Sequence, residues 1–178
     1  MVYRLVLESE KPVDDKPNDL SEGFSETIPT GTNAGDYYVW YGCKGNDNYE
    51  DSEVYDAIKV TINKKPLVIG DDDAPTGINQ ASIGDAVGLI SADGSRTDAI
   101  YTYAATDYKE NGNKPTDDQY KPLSEANNTI KEADAGTYYI WYRLEPKSTD
   151  TNHTFSDPAQ FTATITAAKE ANLVPFSL

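Results

Sequence analysis

The sequence predicts an all-β protein made of two tandem β-sandwich repeats, the first of which lacks its opening strands. The stretch Ala-Gly-Asp-Tyr-Tyr-Val-Trp-Tyr at 34–41 returns as Ala-Gly-Thr-Tyr-Tyr-Ile-Trp-Tyr at 135–142. This spacing of about 100 residues is the size of one small domain. The 178-residue chain also contains 13 Tyr, 12 Gly and 10 Pro, a composition typical of strands and turns.

The first repeat is predicted to contain three strands. In the third of them, Ile58, Val60 and Ile62 alternate with Lys59 and Thr61, so the aliphatic side chains should be buried and the polar ones exposed. The three predicted strands are residues 2–7, 36–44 and 54–62.

A domain boundary is predicted where Lys-Lys-Pro at 64–66 interrupts the strand pattern. Because this linker is short, the two repeats should be coupled in orientation. The predicted division is 1–63 for the partial first repeat, 64–66 for the linker, 67–166 for the complete second repeat, and 167–178 for a tail or the start of a further repeat.

The second repeat is predicted to have more strands than the first, and no helix. Asp93-Gly94 is a hairpin-type turn signal. One turn at 167–171 is the most helix that the pattern allows. The predicted strands are 67–69, 86–90, 99–106, 137–144 and a last one in which Phe161, Ala163 and Ile165 share a face.

The first repeat has no counterpart of residues 66–98 when Val2-Tyr3 is aligned with Ile100-Tyr101. Without these strands it should expose one flank of its core and leave an unpaired sheet edge. Three explanations stay open. The chain is a segment of a longer array, which we favour; the first repeat is a smaller fold; or a segment such as 172–178 supplies the strand by head-to-tail strand exchange.

A recurring Asp/Asn-x-Gly-x-Tyr spacing precedes each aromatic strand. It comprises Asp134, Gly136 and Tyr138 in the second repeat, and Gly35 and Tyr37 in the first. The spacing resembles the corner of immunoglobulin-like sandwiches, where a Tyr near the start of one strand hydrogen-bonds back to the main chain. We therefore interpret these five residues as a structural corner.

The two faces of each aromatic strand follow from this interpretation. The inward residues are expected to be Tyr37, Val39, Tyr41 and Cys43, and Tyr138, Ile140, Tyr142 and Leu144. An outward Tyr–Trp pair then recurs and is suited to stacking on a sugar ring or a partner; alternatively, loops such as 107–125 fold over it. The outward pairs are Tyr38 with Trp40, and Tyr139 with Trp141.

The chain has a formal net charge of −15, which argues against nucleic acid and anionic membranes as partners. No apolar run has the length of a membrane span. No cofactor is expected, with one alternative: calcium at the acidic loop formed by Asp71, Asp72 and Asp73, which we otherwise interpret as a solvated turn.

Nothing in the sequence predicts an enzyme. His153 is the only histidine and lies in a polar stretch, so a Ser-His-Asp arrangement is not indicated. Glycosidases use paired carboxylates, but no pattern singles out a pair here. Cys43 is the only cysteine, which precludes an intrachain disulfide.

Both repeats resemble the tandem immunoglobulin-like repeats of large bacterial cell-surface proteins and adhesins. The resemblance rests on residues 135–142 with Phe-Thr-Ala-Thr-Ile at 161–165, and on residues 34–62. It implies an extracellular, non-catalytic stalk, spacer or fibre at the bacterial surface, with neighbouring repeats as partners. The alternative is an adhesin module that binds a host glycan or protein through the outward aromatic pairs.

Overall fold

The computed structural model describes residues 1–10, 16–82, 84–104 and 112–168. Most of the predicted tail at 167–178 and part of the 107–125 loop lie outside these residues. The described chain is all-β apart from short helices, which confirms the predicted class at that level. It divides into two compact units, Met1–Lys65 with Thr151–His153, and Pro66–Asp150 with Thr154–Leu178.

Unit 1 is built on one antiparallel sheet of three strands in the order β1-β2-β3. These are β1 (Val2–Leu7), β2 (Gly35–Gly42) and β3 (Tyr55–Ile62). All three predicted strands of the first repeat are therefore confirmed. Asn152 ties residues 151–153 to this unit, because its side-chain oxygen accepts from the N–H of Ala34 at 2.7 Å and its carbonyl accepts from the N–H of Lys65 at 3.0 Å.

Unit 2 contains a five-stranded sheet in the order β10-β9-β12-β14-β6, in which β14 and β6 are parallel. Two smaller pairs, β5 with β8 and β7 with β11, complete the unit, and β4 pairs with β13. The strands from β4 onward are β4 (Lys65–Pro66), β5 (Thr76–Gly77), β6 (Asn79–Ala81), β7 (Val87–Gly88), β8 (Ile90–Ala92), β9 (Ala99–Ala104), β10 (Tyr120–Pro122), β11 (Lys131–Glu132), β12 (Gly136–Pro146), β13 (His153–Thr154) and β14 (Ala159–Thr166).

The core of unit 2 lies where the sequence predicts it. Tyr138, Ile140, Tyr142 and Leu144 alternate along β12 and are all buried. On β14, Ala163 and Ile165 are buried and Phe161 packs against them. These side chains are covered by Leu67, Leu89, Ile90, Ala126 and Ile130.

Unit 1 buries one side chain on each face of its aromatic strand, and Tyr37, which was expected to face inward, is 8% exposed. Trp40 is only 6% exposed and packs with Val2, Leu20 and Val54. Trp40 lies on the face opposite Val39 and Tyr41, as alternation predicts, but the segment around Leu20 covers it. This corresponds to the alternative in which a loop folds over the aromatic pair. Conversely, Ile58 and Val60 are expected to be buried, yet they are 55% and 43% exposed. Cys43, which is also expected to face inward, is exposed as well.

The strand registers correct the alignment of the two repeats by two residues. In unit 1, Tyr3 pairs with Tyr41. In unit 2, the residue opposite Tyr142 is Tyr103, and Tyr101 lies opposite Leu144. Tyr3 therefore corresponds to Tyr103 instead of Tyr101. A shift of two residues keeps every side chain on its face, so alternation in the sequence could not reveal it.

A short helix, α1 (Leu123–Thr129), contradicts the prediction that the chain has none. It follows Pro122 and buries Ala126 against the core. Seven residues are too few to be helical in isolation, so packing on the sheet determines this element. Two single-turn 3-10 helices lie at Glu8–Glu10 and Asp117–Gln119.

Two other expectations in the second repeat are also wrong. Residues 67–69 are not a strand: the N–H of Leu67 donates to Thr154, while Arg96 holds the carbonyl of Val68. Asp93-Gly94 does not close a hairpin, since β8 pairs with β5. A Cβ on Gly94 would lie 2.0 Å from the carbonyl oxygen of Asp73, so this glycine permits a close approach of two loops.

Candidate functional site

Both tyrosines of the predicted corner donate to the main chain four residues earlier. The hydroxyl of Tyr37 donates to the carbonyl of Asn33 at 2.8 Å, and that of Tyr138 to the carbonyl of Asp134 at 2.6 Å. Asp134 thus contributes its main-chain oxygen. Each bond closes the loop that enters the aromatic strand, so the same local geometry occurs once in each unit.

The corner glycines begin the strands that carry these tyrosines. Gly35 has a φ of +152°, a value that L side chains rarely adopt. A Cβ on Gly136 would meet the ring of Tyr138 at 3.4 Å, an ordinary van der Waals contact. Backbone conformation thus gives a reason for glycine in unit 1 that does not apply to unit 2.

The outward aromatic pair predicted in unit 1 is not an accessible platform. Trp40 is buried in the core, as described above. Tyr38 is half-buried, and its hydroxyl donates to the carboxylate of Glu8 at 3.2 Å. The ammonium of Lys59 lies 5.9 Å from the centre of the Tyr38 ring and 2.7 Å from Asp36, and this ion pair lowers the pKa of the Asp36 carboxyl.

The pair in unit 2 remains partly accessible, since Tyr139 and Trp141 are both half-buried. Trp141 lies opposite Ala104 on β9 and Gln160 on β14, and Ala104 lies opposite Tyr120 on β10. Directly opposed residues share a face of a sheet. Tyr120, Trp141 and Gln160 therefore lie in one row across the outer face of unit 2, which we call the Trp141 row.

Two polar atoms of the Trp141 row have no hydrogen-bond partner within the described part of the chain. They are the hydroxyl of Tyr120 and the amide nitrogen of Gln160, and both atoms are buried. Burial raises the pKa of the Tyr120 hydroxyl to about 12, so it is a neutral hydrogen-bond donor at physiological pH. Such buried unsatisfied groups are uncommon in native proteins.

Arg143 borders the Trp141 row and is almost fully buried. Its guanidinium lies between two aromatic rings, 4.3 Å from the centre of Tyr120 and 4.0 Å from that of Phe155. It donates to the carboxylates of Asp117 at 2.6 Å and Glu145 at 2.8 Å. These contacts satisfy the cation and hold one side of the row in place.

Sequence reasoning did not identify Tyr120, Arg143 or Gln160. The period-two alternation of β12 was a usable signal for Arg143, because it places this residue on the same side as Trp141. Tyr120 and Gln160 join the row only through the registers of β10 and β14, which the sequence does not specify.

The acidic loop considered for calcium uses one of its carboxylates within the protein. Asp73 accepts from the N–H of Gly70 at 2.9 Å and lies 3.9 Å from the guanidinium of Arg96. Asp71 and Asp72 are exposed. Among the described residues, no three His, Cys, Asp or Glu side chains are grouped so that they could hold a metal ion.

His153, the one histidine, is half-buried in the two-residue strand β13. No described helix combines the length and the apolar character needed to cross a membrane. Comparisons of the chain with protein-family models, with curated proteins and with solved structures find no match.

Proposed function

We propose that the chain is a non-catalytic structural segment, a stalk, spacer or fibre, of an extracellular bacterial surface protein. In this proposal it consists of two immunoglobulin-like repeats, with 1–63 as the partial first repeat, 64–66 as the linker and 67–166 as the second. The observation that carries the proposal is the corner hydrogen bond, which recurs at Tyr37 and Tyr138 with the same four-residue span.

The topology of unit 2 supports the proposal. Its β9, β12 and β14 are adjacent antiparallel strands, as the C, F and G strands are in immunoglobulin-like sandwiches. The smaller pairs β5–β8 and β7–β11 supply residues that cover the inner face of this sheet. Within its described residues, unit 1 has equivalents of the three central strands only, which agrees with a repeat that lacks its front strands.

One pair of corresponding isoleucines supports the proposed difference between the repeats, namely that a second sheet covers the second repeat and not the first. Ile130 is completely buried in unit 2, whereas Ile28, its counterpart in the aligned sequences, is 72% exposed. The corner places both isoleucines at similar distances before their aromatic strands. The burial of one and exposure of the other follow if only unit 2 has a second sheet.

The experiment that tests this proposal restores the front strands. A second copy of residues 66–100, the segment that precedes the counterpart of Met1 in the corrected register, is joined before Met1. Thermal unfolding is then compared with that of the original chain. We expect a higher Tm and a sharper transition for unit 1, reported by the fluorescence of Trp40. A control carries a Gly/Ser segment of the same length. Equal Tm values for all three chains would refute the proposal.

The second candidate function is a binding module for a host glycan or protein. The Trp141 row supports it, because the indole of Trp141 is only half-buried and so remains partly accessible on this face. Sugars stack on accessible aromatic rings. Tyr38 and Trp40 of unit 1 are not part of this candidate binding surface, since Trp40 is buried.

Titration of tryptophan fluorescence against a glycan panel tests this candidate. Binding should shift the emission of Trp141 and leave that of the buried Trp40 unchanged. Trp141→Phe should abolish the shift, and Trp40→Phe is the matched control that should preserve it. An emission spectrum that no glycan alters would eliminate glycan binding at this surface.

A further inference from the structure

A pocket with a volume of about 520 Å³ lies on unit 2 beside the aromatic strand β12. It is lined by residues 66–71 and 157–159, by Ala74 and by Tyr142. All of these residues are among those that the structure describes. We call this feature the Tyr142 pocket. Its volume falls within the range of roughly 300–1,000 Å³ that is usual for ligand sites.

The stretch that forms much of this lining is held in place at both ends. The N–H of Leu67 donates to the carbonyl of Thr154 at 3.0 Å, and the N–H of Gly70 donates to the carboxylate of Asp73 at 2.9 Å. Residues 67–70 belong to no strand, so these bonds hold the stretch without pairing it along a sheet. The pocket is therefore formed before any ligand binds, which lowers the entropic cost of binding.

Tyr142 carries the polar group that distinguishes this pocket from an ordinary apolar gap. The residue is only 2% exposed, and its ring packs against Tyr101 and Phe161 with centre-to-centre distances of 6.3 and 5.8 Å. The hydroxyls of the neighbouring Tyr101 and Tyr103 both donate to aspartate oxygens. The hydroxyl of Tyr142 has no such partner within the described part of the chain.

The surroundings of the Tyr142 hydroxyl favour a ligand that hydrogen-bonds to it. Burial raises its pKa, and the neighbouring Tyr101 and Asp73 add to this effect, so the hydroxyl is neutral at physiological pH. Because Asp73 also binds Gly70 of the lining, the hydroxyl lies near that wall. Buried hydroxyls without partners are uncommon in native proteins, and a ligand seated in the pocket supplies one.

The charge of the pocket indicates which ligand fits. Its lining residues include the carboxylates of Asp71 and Asp157 and no basic side chain. Both are exposed, and neither carboxylate pairs with a described side chain. Arg96 donates to the main chain of Val68 on the pocket wall, but its guanidinium is held by Asp98 at 2.6 Å. Free carboxylates beside apolar walls attract a cation that has an apolar stem.

We propose that the Tyr142 pocket binds the side chain of a lysine presented by a partner protein. The aliphatic stem of the lysine packs on the apolar lining residues, and its ammonium donates to the hydroxyl of Tyr142. Asp71 and Asp157 supply the opposite charge. Lysine is preferred to arginine because the deep acceptor is a single hydroxyl, which suits a compact ammonium, whereas a guanidinium favours bidentate pairing with one carboxylate.

A titration of the full-length, ¹⁵N-labelled chain followed by NMR tests the proposal. The probe is the capped peptide Gly-Lys-Gly, and the same peptide with norleucine in place of lysine keeps the stem but lacks the ammonium. We expect the lysine peptide to shift the amide signals of residues 66–71 and 157–159 with a Kd of about 1 mM. The norleucine peptide should bind at least tenfold more weakly.

Substitutions separate the charge from the hydroxyl. The double variant Asp71→Asn, Asp157→Asn should weaken binding of the lysine peptide about fivefold, since both ion pairs are exposed. Tyr142→Phe removes only the hydroxyl and should weaken binding about threefold. Asp85→Asn, at an exposed aspartate of unit 2 outside the lining, is the matched control and should leave the Kd unchanged. The amide spectrum of each variant reports whether it is folded.

Several results would overturn the proposal. They are a lysine peptide that leaves the lining signals unshifted, a norleucine peptide that binds equally well, and a double variant that binds as tightly as the original chain. Pentylamine, which is the lysine side chain with a free end, distinguishes the source of the ammonium. If it binds more tightly than the peptide, a free amine replaces the partner protein and the assignment is wrong.

This inference goes beyond the proposed function, because it requires neither a repeat architecture nor an extracellular location. The pocket is built from residues of unit 2 alone, whereas the front-strand test reports on unit 1. Failure of one is therefore distinguishable from failure of the other.

Discussion

Replacing Ile130 by Ala tests whether a second sheet covers unit 2 and not unit 1. Ile130 is completely buried among core residues. The substitution deletes three carbon atoms, which corresponds to about 2.4 kcal/mol of lost transfer free energy. The residual cavity adds to this, so we expect the free energy of unfolding of unit 2 to fall by about 3–4 kcal/mol.

Ile28→Ala is the matched substitution in unit 1. Ile28 is largely exposed, so its truncation should change the free energy of unfolding by less than about 0.5 kcal/mol. The assay is urea denaturation at a protein concentration low enough to keep the chain monomeric. Trp141 fluorescence is followed for unit 2 in a Trp40→Phe background, and Trp40 fluorescence for unit 1 in a Trp141→Phe background. Equal losses for the two alanine variants would refute the reasoning, because they would place both isoleucines in similar surroundings.

Three further predictions concern unit 2. Tyr138→Phe should destabilise it by about 1–2 kcal/mol, because the carbonyl of Asp134 loses its donor; urea denaturation measures this. Arg143→Met should cost about 2–3 kcal/mol in the same assay, since the partly buried Glu145 carboxylate loses its cation. Burial raises the pKa of Tyr120 to about 12, so ionisation of this hydroxyl opposes folding. The free energy of unfolding is therefore unaffected by it below the unfolded pKa of about 10, and falls as the pH rises through 12. Tyr120→Phe should therefore reduce the loss of Tm in alkaline titration.

Each of these predictions has a control within the chain. Tyr37→Phe should destabilise unit 1 through the equivalent bond, and its failure to do so would contradict the shared role of the corner. Adding Glu145→Gln to Arg143→Met should recover part of the loss; a purely additive double variant would argue against the ion pair. At neutral pH, Tyr120→Phe should not destabilise the protein, because the hydroxyl has no described partner, and a loss of Tm there would mean that it has one.

Local patterns in the sequence predicted the elements that depend on neighbouring residues. Period-two alternation predicted the inward face of β12 and of β14, because side chains of a strand alternate whatever lies on either side. The Asp/Asn-x-Gly-x-Tyr spacing anticipated a bond that spans only four residues, and both copies of this bond are present.

Alternation determines which side chains share a face, but it does not determine which face is covered. Trp40 and Trp141 occupy equivalent positions in nearly identical octamers, yet Trp40 is buried and Trp141 is half-exposed. Cys43 and Leu144 are another such pair, one exposed and the other fully buried. The covering segments lie far away in the chain, so the octamers carry no information about them.

The sequence alone thus determined the three strands of unit 1, the long strands β9, β12 and β14 of unit 2, and the recurring corner bond. These depend mainly on patterns among near neighbours. Tertiary structure decided the two-residue shift in register, the helix at Leu123–Thr129, the Trp141 row and the exposure of Ile58 and Val60 on β3. Each of these depends on pairing or burial between distant segments, whose free energy comes from contacts that no local stretch contains.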